Sequence, residues 1–151
     1  MTRQAAFDSP LGRLVVTETG GVITALAWGG MAKGNGSVLL ADACRQLGEY
    51  FSGTRQSFDL PLEFMEGLSG AVQRAMTAIP FGETRRYGEL ARQLGFPAQA
   101  IGQACGTNRI PILIPCHRIL AATGLGGFSA PGGIETKVAL LKHEGAASLL
   151  I

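Results

Sequence analysis

Apolar and polar positions fall into two textures along the chain. Residues 5–28 alternate and turn like strands: Leu14-Val15-Val16-Thr17 is rich in β-branched side chains, Gly20-Gly21 is a hairpin signal, and Val22 to Trp28 reads as a second strand. A Gly-rich loop follows from Met31 to Ser37. Leu39, Leu40, Ala43, Leu47, Tyr50 and Phe51 then repeat at helical spacing, and Ser52-Gly53 ends the run. Phe58-Asp59-Leu60-Pro61-Leu62 predicts a short strand stopped by proline. The second texture is helical. Leu68, Val72, Ala75, Met76 and Ile79 share one face that stops before Pro80. Glu89 to Leu94 and Ala98 to Thr107 predict two short helices separated by the Gly95-Phe96-Pro97 break. That spacing fits a helix-turn-helix and fits any αα-hairpin equally well. Ile110 to Ile114 predicts a buried extended run, Thr123 to Gly133 a Gly-rich loop, and Ile134, Val138 and Leu141 open a last helix that ends at Gly145. The change of texture sets two domains, 1–65 and 66–151, with a soft boundary near residues 60–66.

Composition narrows the class. The chain has 151 residues, 46% of them apolar and only 16% charged, which is enough for a real core and excludes disorder. Its 22 glycines have no collagen-like period. The net charge of +2 permits a nucleic-acid partner but excludes a strongly electrostatic, non-specific DNA coat. No apolar stretch approaches the ~18 residues that span a bilayer. Met1-Thr2-Arg3-Gln4 does not lead into an apolar signal core, so the chain reads as cytoplasmic with no membrane partner. The cysteines Cys44, Cys105 and Cys116 are odd in number and widely spaced, which argues against a disulfide framework or a zinc site. Cys44 and Cys105 read as small buried hydrophobes.

Chemistry concentrates at Pro115-Cys116-His117-Arg118. A thiol beside an imidazole and a guanidinium is a nucleophile setting, because nearby positive charge or a base raises the thiolate fraction. Neighbours in sequence usually point apart, so the pair also fits coincidence, and a cysteine hydrolase would use the same two residues. Such a site wants an orienting carboxylate. No Asp or Glu occurs between Glu89 and Glu135, so the partner must come from a distant segment, and Glu144 beside His143 is a candidate.

Ile112-Leu113-Ile114-Pro115-Cys116-His117-Arg118-Ile119 resembles the active-site signature of the O6-alkylguanine-DNA alkyltransferases. The likeness extends to Ile79-Pro80-Phe81-Gly82-Glu83-Thr84, Tyr87-Gly88-Glu89-Leu90-Ala91, Asn108, Gly126-Gly127-Phe128-Ser129 and Lys137 to Gly145. It is weaker at Asp8-Ser9-Pro10-Leu11-Gly12. The resemblance implies an RNase H-like α/β N-terminal domain and a mostly helical, winged-helix-like C-terminal domain with a helix-turn-helix. It implies DNA repair by single-turnover transfer of an alkyl group from O6-alkylguanine to Cys116, with O4-alkylthymine a further candidate substrate. The expected partner is double-stranded DNA carrying the damaged base, bound through the minor groove by a monomer that flips the base out. No cofactor and no metal are expected.

Residue roles follow from the same resemblance. Cys116 would be the alkyl acceptor, His117 would take its proton through a water, Glu144 would polarise His117, and Asn108 would brace the turn before Cys116. Arg118 would make a structural ion pair. Tyr87 would lie near the flipped base, the Ser129 backbone near guanine O6 and the Ile119 carbonyl near the exocyclic amine. Lys137 matches a lysine usual in the last helix, and the small residues Ala98 and Gly102 would let the recognition helix press into the groove. Three positions depart from the family pattern: Gln99 stands where an arginine fills the gap left by the flipped base, Phe128 where a tyrosine is common, and Arg109 where a proline is usual. The Gln99 departure keeps open a second reading, an alkyltransferase-like protein that binds lesions without transfer. A Cys-His hydrolase and a DNA-binding regulator with an alkylated cysteine as its signal are further alternatives.

Overall fold

A computed structural model describes residues 1–128 and 130–146. The chain divides into two compact units, Met1–Glu63 and Phe64–Ile151.

The first unit is an antiparallel sheet of β1 (Thr2–Ser9), β2 (Gly12–Thr19) and β3 (Val22–Trp28) in that order, with helix α1 (Val38–Ser52) packed on β1 and β2. The sequence pattern gives strand texture from residue 5 onward and singles out β2 and β3; the start of β1 at Thr2 is an addition, because its half-buried positions carry few β-branched residues. Gly20 and Gly21 both take positive φ, which gives the two-residue turn that matches strand twist. Helix α1 starts where the Ser37 side chain accepts from Leu40 N–H and stops at left-handed Gly53. It buries Leu40, Ala43, Leu47 and Tyr50, against Leu14, Val16 and Ile23 of the sheet in the same core. The predicted strand at residues 58–62 does not form. Instead Ile23 makes a single bridge beside Leu62, with Ile23 N–H donating to Pro61 O and Glu63 N–H to Ile23 O. The Gln46 side chain takes up the Asp59 backbone in place of a strand partner.

The second unit holds α2 (Gly67–Thr77), β4 (Arg85–Arg86), α3 (Tyr87–Leu94), α4 (Ala98–Gly106), β5 (Ile119–Leu120) and α5 (Ile134–His143). Strands β4 and β5 pair in parallel over two residues each. The apolar face of α2 buries Val72 and Met76, and α2 packs on α3 and α4. The two short helices α3 and α4 pack on each other across a three-residue turn, where Gly95 caps α3 in the left-handed region. Gly70 is required by packing rather than by φ: a Cβ there would sit 1.8 Å from Met65 O. The close approach puts Gln73 where its Oε1 accepts from Met65 N–H at 2.7 Å and its Nε2 donates to Asn108 Oδ1 at 3.4 Å. No helix among the described residues is long and apolar enough to cross a membrane.

Candidate active site

The segment before Cys116 is buried but not extended, which corrects the sequence expectation for Ile110 to Ile114. Ile112 sits at φ +70, an outlier for a β-branched side chain. Leu113 N–H donates to Pro111 O across it at 2.8 Å, and Ile114 N–H returns to Ile110 O at 2.9 Å. A second tight turn follows at Pro115 (φ −79, ψ 69), where Cys116 N–H donates to Ile114 O at 2.8 Å. Proline punctuation and a full set of buried side chains force this compact path. Strain of this kind persists only where the surroundings over-determine it. Here the staple is Asn108, whose Nδ2 donates to Ile114 O at 3.0 Å and whose Oδ1 accepts from Ile110 N–H at 3.1 Å.

Cys116, His117 and Arg118 then form one turn of 3-10 helix. The side chain of His117 is completely buried, and its Nε2 lies 2.7 Å from Glu144 Oε2. Burial holds the imidazole below its ordinary pKa, against the pull of Glu144, so it is neutral. A neutral ring whose Nε2 faces a carboxylate keeps its hydrogen there. That leaves Nδ1 as an acceptor, and Nδ1 is buried with no partner among the described residues. Glu144 also takes Arg118 Nε at 2.8 Å and Nη2 at 3.0 Å, while Arg118 Nη1 donates to Ile79 O at 2.7 Å. Burial pushes the Glu144 carboxyl up, but the hydrogen bonds from His117 and Arg118 outweigh it and hold the group well below the usual carboxylate range.

Lys137 is fully buried on α5. Its Nζ donates to Ile119 O and Leu125 O at 2.6 Å each and reaches Gly127 O at 3.4 Å. One ammonium thus ties β5 to the loop after it. Burial lowers its pKa to about 8, with the Cys116 and Cys105 thiols opposing. Burial raises the Cys116 thiol, and an Asn108 hydrogen bond and the Lys137 charge pull it back down. Cys116 at rest is therefore a thiol that needs a base.

Cys116 opens onto a cleft of about 540 Å³. Tyr87, Asn108 and Phe128 line it, together with Gln99 and Gly102 from α4. The Tyr87 ring lies against α4 beside Gly102, where a Cβ would meet it at 3.9 Å, an ordinary contact. Gly126 has φ +75, and a Cβ on it would stand 3.3 Å from the Tyr87 hydroxyl and 3.3 Å from Ala121 N. Burial raises the Tyr87 pKa, and the two cleft thiols add to the effect.

The structure therefore gathers Cys116, Asn108, Tyr87, Gln99, Gly102 and Phe128 at one cleft, with His117 and Glu144 buried behind Cys116. Ala98 is exposed at the start of α4 and does not line the cleft. Ile119 is buried, and its carbonyl already accepts from Lys137. Ser129 lies outside the described residues. The reading of Cys105 as an inert buried hydrophobe is incomplete: it is only part-buried and lines the cleft. Its sulfur also contacts Met76 Sδ at 3.7 Å, and burial pushes its pKa up to about 12. Gln103 also lines the cleft; its only signal in the sequence is the i, i+4 spacing from Gln99, which places both on one helix face. Among the described residues no group of three or more His, Cys, Asp or Glu side chains is arranged to hold a metal ion.

Residues 68–146 match the model of the 6-O-methylguanine DNA methyltransferase DNA-binding domain, and residues 2–64 that of the 6-O-methylguanine DNA methyltransferase ribonuclease-like domain. A methylated-DNA–protein-cysteine methyltransferase of Mycobacterium leprae is 37% identical over 162 residues, spanning 97% of this chain and 96% of that one. Among solved structures, the Mycobacterium tuberculosis O6-methylguanine methyltransferase superposes with a TM-score of 0.81 at 35% identity, over 97% of this chain and 94% of that one. Mycobacterium tuberculosis OGT in complex with DNA superposes with a TM-score of 0.78 at 36% identity, over 95% and 93%.

Proposed function

The chain belongs to the 6-O-methylguanine DNA methyltransferase family, and from that premise we infer that Cys116 is the residue that receives the alkyl group. The activity is that of a methylated-DNA–protein-cysteine methyltransferase: the protein binds DNA and repairs it by transferring an alkyl group to a cysteine. The observation that carries the assignment to Cys116 is the buried row behind it. Glu144 fixes the hydrogen of His117 on Nε2, and Nδ1 is left as an unpartnered acceptor next to the nucleophile in sequence.

The steps follow from those groups. The damaged guanine leaves the stack and enters the cleft, at a cost of a few kcal/mol repaid by binding. A water takes the Cys116 proton and passes one to His117 Nδ1. Asn108 and the Lys137 charge favour the thiolate that forms. The thiolate attacks the alkyl carbon, a C–S bond forms, and the C–O6 bond breaks with its electron pair going to the guanine. The purine anion then takes one proton from the water, and His117 returns its own to that water, so thiol and O6-alkylguanine become thioether and guanine. The thioether is stable and the cleft supplies no second thiolate to remove it, since Cys105 stays protonated at neutral pH. Each molecule acts once.

DNA engagement runs through α4, which carries no charged side chain and, besides Gln99, Ile101 and Gln103, only small ones, so that it can approach a minor groove closely. Residues 64–151 hold eight Lys and Arg against five Asp and Glu, which gives the second unit the positive balance that phosphate contacts need. A monomer suffices for this footprint.

The test is incubation with a duplex carrying one O6-methylguanine, followed by peptide masses. Trypsin releases Ile110 to Arg118, with Cys116 as its single cysteine. A stoichiometric methyl on that peptide, absent in Cys116→Ala, is the expected result. Tight lesion binding with Cys116 unmodified would replace this reading with that of a lesion sensor.

A further inference from the structure

The Arg86 guanidinium extends a strand pairing that the backbone has to abandon. Strands β4 and β5 pair Arg85 with Ile119 and Arg86 with Leu120. The ladder ends there because Arg86 is also the N-cap of α3, with its backbone N–H donating to Glu89 Oε1 at 3.1 Å. The side chain takes over the next two carbonyls: Nη1 donates to Ala121 O and, at 3.1 Å, to Ala122 O. Helix α3 gains nothing from this cation, since positive charge at a helix N-terminus opposes the helix dipole. The contact serves the other segment, the start of the loop that leads to Gly127 and Phe128 at the cleft.

That loop is a closed arch. Gly126 returns to its base, where a Cβ would stand 3.3 Å from Ala121 N and 3.3 Å from the Tyr87 hydroxyl. Lys137 holds the far end from the buried side, at Leu125 O and Gly127 O. Arg86 holds the near end from the exposed side. We propose that Arg86 is a positioning residue for alkyl transfer: by pinning Ala121 and Ala122 it keeps the Gly127–Phe128 wall of the cleft formed before the damaged base arrives. The proposal deepens the alkyl-transfer reading given above and rests on it. Without the pin, ordering the wall falls to substrate binding, and apparent affinity drops by the fraction of molecules in which the wall is formed. The chemical step is spared, because Asn108 and the His117–Glu144 pair hold the Cys116 turn and Arg86 touches neither.

Single-turnover transfer from a duplex carrying O6-methylguanine, measured against duplex concentration, separates a half-saturating concentration from a maximal rate. Arg86→Ala should raise the first about ten-fold and change the second by less than about two-fold. Arg86→Lys, whose ammonium can donate to both carbonyls, should recover most of that loss. In the DNA-free protein, amide hydrogen exchange over residues 121–128 should be faster in Arg86→Ala and near wild type in Arg86→Lys. The salt dependence of log Kd should keep its slope in Arg86→Ala. A slope shallower by about one unit would make Arg86 a phosphate contact and overturn the proposal. Unchanged exchange over 121–128 overturns it too, as does a lower maximal rate at constant half-saturation. A wild type that transfers no methyl to Cys116 overturns the underlying reading and this proposal with it.

Discussion

Glu144 Oε2 stands 2.7 Å from His117 Nε2, and both side chains are fully buried. The carboxylate is also forked by Arg118, so one acidic group orients the base and balances a buried cation. The two functions can be separated by substitution. Glu144→Gln strands the Arg118 charge and should destabilise the protein by about 3–5 kcal/mol while slowing transfer by about two orders of magnitude. His117→Ala leaves the Arg118–Glu144 pair in place, so transfer should fall comparably with a smaller loss of stability. Single-turnover kinetics beside urea titration reads both quantities. Equal stability losses in the two variants would show that the ion pair is not what Glu144 contributes to folding.

Lys137 should tune the nucleophile. Its positive charge lowers the Cys116 pKa, so Lys137→Met must raise it. The pH profile of iodoacetamide labelling at the Cys116 peptide should move to higher pH, with labelling at neutral pH about ten-fold slower for each unit gained. A profile that does not move would reduce Lys137 to a clamp on the Ile119, Leu125 and Gly127 carbonyls.

Stability should rise from acid to neutral pH, where two buried groups agree on the sign. His117 has a folded pKa below its ordinary 6.5, so the unfolded chain binds its proton first as pH falls and stability drops below about that value. Glu144 lies below its ordinary 4.5, so its contribution is present above that pH and is lost as pH falls through the folded value. Above neutral pH the groups oppose one another: Lys137 at about 8 instead of 10.5 favours the folded chain as pH rises, while the buried Cys105 and Cys116 thiols, raised above their ordinary value, favour the unfolded chain. Urea midpoints at pH 4, 5 and 7 should therefore increase in that order. A higher midpoint at pH 5 than at pH 7 would contradict the neutral assignment of His117.

Two glycines in helices should respond in opposite directions to alanine. Gly70→Ala drives a Cβ against the backbone at Met65 O, which no side-chain adjustment can relieve. The expected loss is about 1–3 kcal/mol or more, together with slower transfer because α2 carries the Gln73 that touches Asn108. Gly88→Ala meets only the end of the Arg92 side chain at 3.7 Å and should gain up to about 1 kcal/mol from helix propensity. Thermal melts of the two variants, moving down and up respectively, check both.

The sequence alone determined the features that rest on local rules. The Gly20-Gly21 hairpin, the helical run ending at Gly53, the break at Gly95-Phe96-Pro97 and the change of texture between the two halves follow from period and backbone preference, which are written residue by residue. The Pro-Cys-His-Arg motif marked the chemistry for the same reason. Tertiary structure decided the rest. Nothing local tells that residues 58–62 lend a single bridge to Ile23 instead of forming a strand, or that residues 110–114 fold into tight turns stapled by Asn108. Cys105 and Gln103 reach the cleft only through the packing of α4, and Glu144, a candidate in the sequence, meets His117 only because the fold carries the end of α5 back across 27 residues. Burial completes the site: it keeps His117 neutral and raises the Cys116 thiol, and the amount of water excluded is a property of the packed chain and not of any segment in it.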